Sequence, residues 1–332
     1  MPRLICIMLC YNLSRNSQGV TPYHSKDMQL IIRSLSHFPQ ALLLLCLFTL
    51  PAQAGDKIKV LTSIKPLSLI VNEAFGDAVQ VDYLLPPMAS PHMYQLKPSD
   101  ARRLQAAEVF LWVGPELERF LPKILEKYTQ LEKVDALSYL ESSQDTLLLA
   151  FNQSKHSDSH DHSHDGAHDP HVWLSANVAG AVALNLAETL SRLDPVGADY
   201  QSMARKYQTQ MRELSEASQM AAQQLNNRNL LTYHNGFNYF ANELSLNVVD
   251  VVALQPETSP GARHLSDIKA KAISLQACIV VEPQYRASAI DRFFTIPNLA
   301  ITEIDPMGSE YTTYSDYYRG MVKRVLECLS SH

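Results

Sequence analysis

From Lys57 onward, short apolar runs bounded by turn residues alternate with segments of helical periodicity. No other feature constrains the fold of this 332-residue chain as strongly. "KIKVLTS" precedes "PLSLIVNEAFG", "VQVDYLLP" precedes "PSDARRLQAA", and "EVFLWVG" precedes "PELERFLPKILEKY". Strand, helix, strand, helix is the order of a parallel sheet with helical crossovers. Ser99 reads as a helix N-cap, and Pro115, following Gly114, suits the first position of the next helix. An apolar fraction of 46% is ample for a buried core.

The alternation pauses and then restarts. "SANVAGAVALNLAETLSRLDP" carries apolar residues at helical spacing up to Pro195. The stretch from Val196 to Asn226 lacks proline and predicts one longer helix, on the order of 45 Å. After it come "NLLTYH", "GFNYFANELSL", "NVVDVVAL", a polar loop with Pro256 and Pro260, "HLSDIKAKAISLQA", "CIVVEP", "AITEID" and "YSDYYRGMVKRVLECL". The expected architecture is therefore α/β with two lobes, each a parallel-rich sheet flanked by helices, joined by one long connecting helix. The expected divisions are a leader at 1–54, a first lobe at 55–195, the connecting helix at 196–226 and a second lobe at 227–332. Ligands of open parallel sheets bind at the carboxyl ends of strands, so the cleft between the lobes is where chemistry is expected.

The leader is read from "QLIIRSLSHFPQALLLLCLFTLPAQA": a weakly basic start, an apolar run from Ala41 to Leu50, and a small-residue site ending at Ala54. That run is well short of the roughly 20 residues a membrane-spanning helix needs, so cleavage after Ala54 and secretion are expected rather than membrane insertion. Met28 stands where such a peptide would begin, which makes residues 1–27 a candidate for a start assigned too early. The formal charge is −6, and removing a leader with Arg3, Arg15, Lys26 and Arg33 against Asp27 makes it more negative, so no nucleic-acid surface is expected. Cys6, Cys10 and Cys46 leave with the leader. Cys278 and Cys328 remain, an even pair in an oxidising compartment, and are predicted to form a disulfide; the alternative is two buried thiols.

Metal-capable side chains fall into two groups. His156, His160, His162, His164 and His168 lie in the acidic, low-complexity tract 154–169, which has no apolar side chains to offset the cost of ordering the chain; it predicts a mobile loop with weak accessory metal affinity. His92, His171, His234 and Asp305 are different: each falls after a predicted strand or just before a helix, two in each lobe. A lone loop histidine is more often a surface residue, and Asp before Pro a routine turn; the conjunction of four comparable positions points to a metal site. Glu282, at the end of "CIVVE", and Glu257 are candidates to accept a hydrogen bond from a ligating imidazole.

The stretches "SPHMYQLKPSDARRLQAAEVFLWVGPELERFL", "DPHVWLS", "TYHNGFNYFANELSL", "QPETSPGARHL" and "VVEPQY" resemble the zinc-binding solute-binding proteins of bacterial ABC importers, the ZnuA type. The likeness spans the predicted mature chain, including the connecting helix, the histidine-rich loop and the Cys278/Cys328 pair. It implies a periplasmic monomer that binds Zn²⁺ between its lobes through His92, His171 and His234 and delivers it to an inner-membrane ABC permease. In some zinc-specific members a glutamate directly before the first histidine is a ligand, but here that place holds Pro91. Relatives that also bind manganese use a second-lobe carboxylate, which corresponds to Asp305; a water is the other choice for the fourth position. Three neutral imidazoles favour Zn²⁺ over Mn²⁺ or Mg²⁺, although Cu²⁺ and Ni²⁺ also suit such donors.

Two other functions are weighed against transport. A secreted zinc hydrolase would also use three histidines and a water, but the chain has neither H-E-x-x-H nor G-x-S-x-G. A surface adhesin or metal buffer would need retention at the cell surface, and no cysteine follows Ala54 to carry a lipid anchor.

Overall fold

The first sheet is built by four parallel strands: β1 (Ile58–Thr62), β2 (Val79–Tyr83), β3 (Val109–Trp112) and β4 (Glu132–Asp135), in spatial order β2-β1-β3-β4. The second repeats that order with β5 (Asn229–His234), β6 (Asn247–Ala253), β7 (Cys278–Val281) and β8 (Ile301–Glu303), arranged β6-β5-β7-β8. The computed structural model describes residues 56–142, 168–253, 260–285 and 299–331. The leader, the histidine-rich tract up to Ala167 and Glu257 lie outside the described residues.

Burial follows from position in the sheet. Every residue of β3 and β7 is buried, as expected for strands covered on both faces, whereas the edge strand β2 alternates with exposed Gln80 and Asp82. In each sheet the chain leaves the central strand to one side, then returns to its other side, which opens a crevice at the carboxyl ends of β1 and β3 and of β5 and β7. His234 closes β5, and Glu282 directly follows β7. The sequence therefore places both residues at the second sheet's crevice.

The helices of the first sheet are α1 (Lys65–Phe75), α2 (Pro98–Ala106), the short α3 (Pro122–Leu125), α4 (Ala136–Ser142) and α5 (Ala176–Leu193). Two expectations are corrected here. Helix α2 begins at Pro98, not behind a Ser99 cap: the Lys97 N–H donates to Asp100 at 2.8 Å, so Ser99 lies within the first turn. "PELERFLPKILEKY" is not one helix: Pro122 in its middle has no N–H to give to the preceding turn, so although Leu121 keeps helical backbone angles, a new helix starts at Pro122 and only Pro122–Leu125 is helical.

The long helix α6 spans Tyr200–Gln223 and begins later than Val196, because Asp199 caps it by accepting from the Ser202 N–H at 3.0 Å. Its 24 residues extend about 36 Å. Helix α5 packs along it, and Gly180 lets the two approach closely: a Cβ there would stand 3.0 Å from the Gln208 Cα. In the second half α7 (Asn238–Glu243), α8 (Ala262–Ser274) and α9 (Tyr314–Leu329) complete the layers.

The two halves are tied by an exchange of helix caps. Glu243 on α7 accepts from the Ala176 and Asn177 N–H groups at 2.9 and 3.2 Å and from the Ser175 hydroxyl, all at the start of α5. Reciprocally, Glu73 on α1 accepts from the Ser315 N–H at 2.8 Å and from its hydroxyl, at the start of α9. Each carboxylate meets a helix dipole's positive end, worth up to about 2 kcal/mol in partly buried settings. Trp173 donates to the Pro306 carbonyl and Tyr314 to the Trp173 and Ser175 carbonyls, each at 2.9 Å. A disulfide, Cys278–Cys328, fastens the start of β7 to the last turn of α9, its Cα atoms 5.7 Å apart. The turn that follows His171 and the helix that follows His234 are both held by these ties.

Candidate metal centre

His171 follows the Asp169-Pro170 pair and immediately precedes the 3₁₀ turn Val172–Leu174, which leads into α5. Its imidazole is almost fully buried and its Nδ1 lies 2.7 Å from Asp169 Oδ1. The same oxygen accepts the His171 backbone N–H at 3.0 Å, while Asp169 Oδ2 accepts from Asn238 at 2.9 Å. His234, equally buried, places Nδ1 2.5 Å from Glu282 Oε1. With each Nδ1–H donating to its carboxylate, the lone pair of each ring lies on Nε2. These two Nε2 atoms face each other 3.1 Å apart.

His92 completes the group from the loop between β2 and α2. Its ring centroid lies 5.4 Å from that of His171 and 6.0 Å from that of His234, and one nitrogen of each ring falls within 4.8 Å of the others. Burial first, then repulsion from His171, His234 and Arg119, pulls its pKa from 6.5 down to about 2. His92 is therefore neutral, with a lone pair to donate, throughout mild acid. The histidines line a cavity of about 10 Å³ that Glu282 also borders. Glu282 Oε2 is buried there without a hydrogen-bond partner among the described residues.

Gly236 makes room for this arrangement. A Cβ at that position would stand 2.4 Å from His234 Nε2 and 3.2 Å from His171 Cδ2, so any side chain would displace both rings.

Asp305 does not join the histidines. Its Oδ1 accepts from the Met307 N–H at 2.9 Å and from Gln284 Nε2 at 2.6 Å, and its Oδ2 from the Ser309 N–H at 2.7 Å; it caps the turn after β8. Three donors satisfy the carboxylate where it stands. His168, at the end of the tract, pairs instead with Glu141 at 3.6 Å. Asp169 was not foreseen, because it closes a run of Asp and His in which no single member stands out. Its one signal is position: two residues before His171 with a proline between, it can reach back to both the backbone and the ring of that histidine.

Asp169→Asn is expected to weaken metal binding about 10- to 100-fold, since an amide neither fixes the imidazole tautomer nor raises its basicity as a carboxylate does. Competition against a chromogenic chelator measures this, and unchanged affinity would show that Asp169 only shapes the turn.

The fold and the three histidines define a two-lobed α/β metal-binding protein with its donors gathered between parallel sheets. The sequence profile of the ZnuA family, zinc-uptake complex component A, periplasmic, matches residues 60–331, and the chain belongs to that family. It is 31% identical over 274 residues to the high-affinity zinc uptake system protein ZnuA of Yersinia pestis, covering 78% of this chain and 86% of that protein. With the Haemophilus ducreyi protein of the same description it shares 29% over 288 residues, 82% of this chain and 93% of the relative. A crystal structure of ZnuA superposes with a TM-score of 0.69 at 22% identity, covering 82% of this chain and 99% of that one, which is a likeness of fold.

Proposed function

We propose that this chain captures Zn²⁺ in the periplasm and hands it to an inner-membrane ABC permease, acting as a monomer, with His92, His171 and His234 as the metal's protein ligands. One observation carries the reading: the Nδ1 atoms of two imidazoles each meet a buried carboxylate while their Nε2 atoms stand 3.1 Å apart, so that with each Nδ1–H donating to its carboxylate two Nε2 lone pairs are set against each other. Two such lone pairs repel unless a cation lies between them. Ligands ~2.0–2.1 Å from a tetrahedral zinc stand about 3.3–3.4 Å apart, close to this spacing.

His92 supplies the third nitrogen and water the fourth ligand. That water would also give the buried Glu282 Oε2 a hydrogen to accept. With Asp305 engaged elsewhere, the donor set is nitrogen-rich and favours zinc over manganese. Membership of the ZnuA family, and the zinc-uptake descriptions of its relatives, support the cargo and the permease. The Cys278–Cys328 bridge fits an oxidising compartment.

Binding is favoured over hydrolysis by space as well as by motif. A cavity of about 10 Å³ matches an ion or one water.

The test is zinc titration of the chain from Gly55 onward, with and without residues 156–168. The expected result is one tight site in both forms, with only weak additional binding lost on deletion. Loss of the tight site in the shortened protein would move it out of the cleft and into the tract.

A further inference from the structure

The three histidines are not held alike. His171 and His234 are 3% and 4% exposed and each is backed by a buried carboxylate. His92 is only partly buried, and among the described residues no carboxylate or carbonyl accepts from its ring. Its loop, from Leu84 to Lys97, contains Pro86, Pro87 and Pro91, which have no N–H to give. Between Pro86 and Leu96 the described internal backbone bonds are Ala89 N–H to Pro86 O at 2.9 Å and Met93 N–H to Ser90 O at 3.4 Å. Met88 and Met93 on this loop are 57% and 66% exposed. Few backbone bonds and much exposed surface place a segment at the low end of local stability.

The second lobe fastens this loop. Gln284 Nε2 donates across the cleft to the Pro87 carbonyl at 3.1 Å, and the Tyr285 hydroxyl donates to Ser90 Oγ at 3.2 Å. The other hydrogen of the Gln284 amide goes to Asp305 Oδ1 at 2.6 Å, and Asp305 is itself pinned by the Met307 and Ser309 N–H groups. Gln284 and Tyr285 form the 3₁₀ turn Pro283–Tyr285, directly after the Glu282 that orients His234. One short segment thus backs a deeply buried histidine and clasps the loop that carries the less buried one.

We propose that Asp305, Gln284 and Tyr285 are positioning residues that hold the His92 loop shut, and so set how long the bound metal stays. The inference rests on the reading of the three histidines as the zinc site. Opening the clasp withdraws His92 first and leaves the ion on His171 and His234, reachable by solvent or by a partner. Asp305 then matters without touching the metal: it aims the Gln284 amide.

The test is stopped-flow release of zinc into excess chelator from the full mature chain, comparing wild type with Tyr285→Phe, Gln284→Ala and the double variant. Tyr285→Phe removes a single hydroxyl and keeps the ring packed near His234, so it guards against a folding failure. Each lost bond is expected to speed release severalfold, and the double variant about tenfold or more. The visible spectrum with Co²⁺ in place of zinc should remain that of the wild-type donor set. Release within twofold of wild type in the double variant, or a changed Co²⁺ spectrum, would overturn the clasp. If wild type itself retains no zinc against the chelator, the failure belongs to the underlying site reading instead.

Discussion

His234→Ala is expected to lower zinc affinity about 100- to 1,000-fold. Structural zinc sites bind with roughly 10–16 kcal/mol over four ligands, so one imidazole carries about 2.5–4 kcal/mol. The substitution acts twice, because Glu282 is buried against the His234 ring and loses the partner of its Oε1. Leaving a buried carboxylate oxygen without its hydrogen-bond donor costs about 1–3 kcal/mol of stability, and more when the group is charged. The double variant His234→Ala/Glu282→Gln should therefore recover much of the melting temperature while remaining unable to hold zinc. Calorimetric zinc titration beside thermal unfolding separates the two effects. Tight binding retained by His234→Ala would remove this residue from the site.

The second large effect concerns Cys278 and Cys328. Their bridge closes a loop with a sequence separation of 50 residues, for which chain entropy alone assigns about 4 kcal/mol. In a protein of this size that corresponds to a fall in melting temperature of about 8–16 °C, read by circular dichroism on the double Cys→Ala variant or after reduction. Zinc affinity should change far less, because β7 stays paired with β5 and β8 on either side. A melting temperature unaffected by reduction would deny the bridge its stabilising role.

Much of the fold is legible in the order of the elements. Seven strands carry apolar runs that declare themselves, and "YSDYYRGMVKRVLECL" is helix α9 from end to end. Strand β4 is not legible: "EKVD" has one apolar residue, Val134, and becomes a strand only because β3 offers it an edge to pair with. The broken helix at Pro122 shows the opposite error, helical periodicity overruled by one residue that lacks a donor.

At the site the same division holds. Composition and spacing pointed to two parallel α/β halves and to Cys278 and Cys328 as a candidate pair, both of which the structure shows. Glu282, at the end of its strand, already reads as an imidazole's partner, but only the tertiary structure decided what Asp169 and Asp305 do. Asp169 and Glu282 are drawn to imidazole Nδ1 atoms, whereas Asp305, placed after a strand as a ligand would be, is captured by two backbone N–H groups and an amide. Sequence order sets which groups reach a strand end, but the donors that meet them there are supplied by chain segments far away, and a carboxylate goes to whichever donors its fixed backbone brings within about 3 Å.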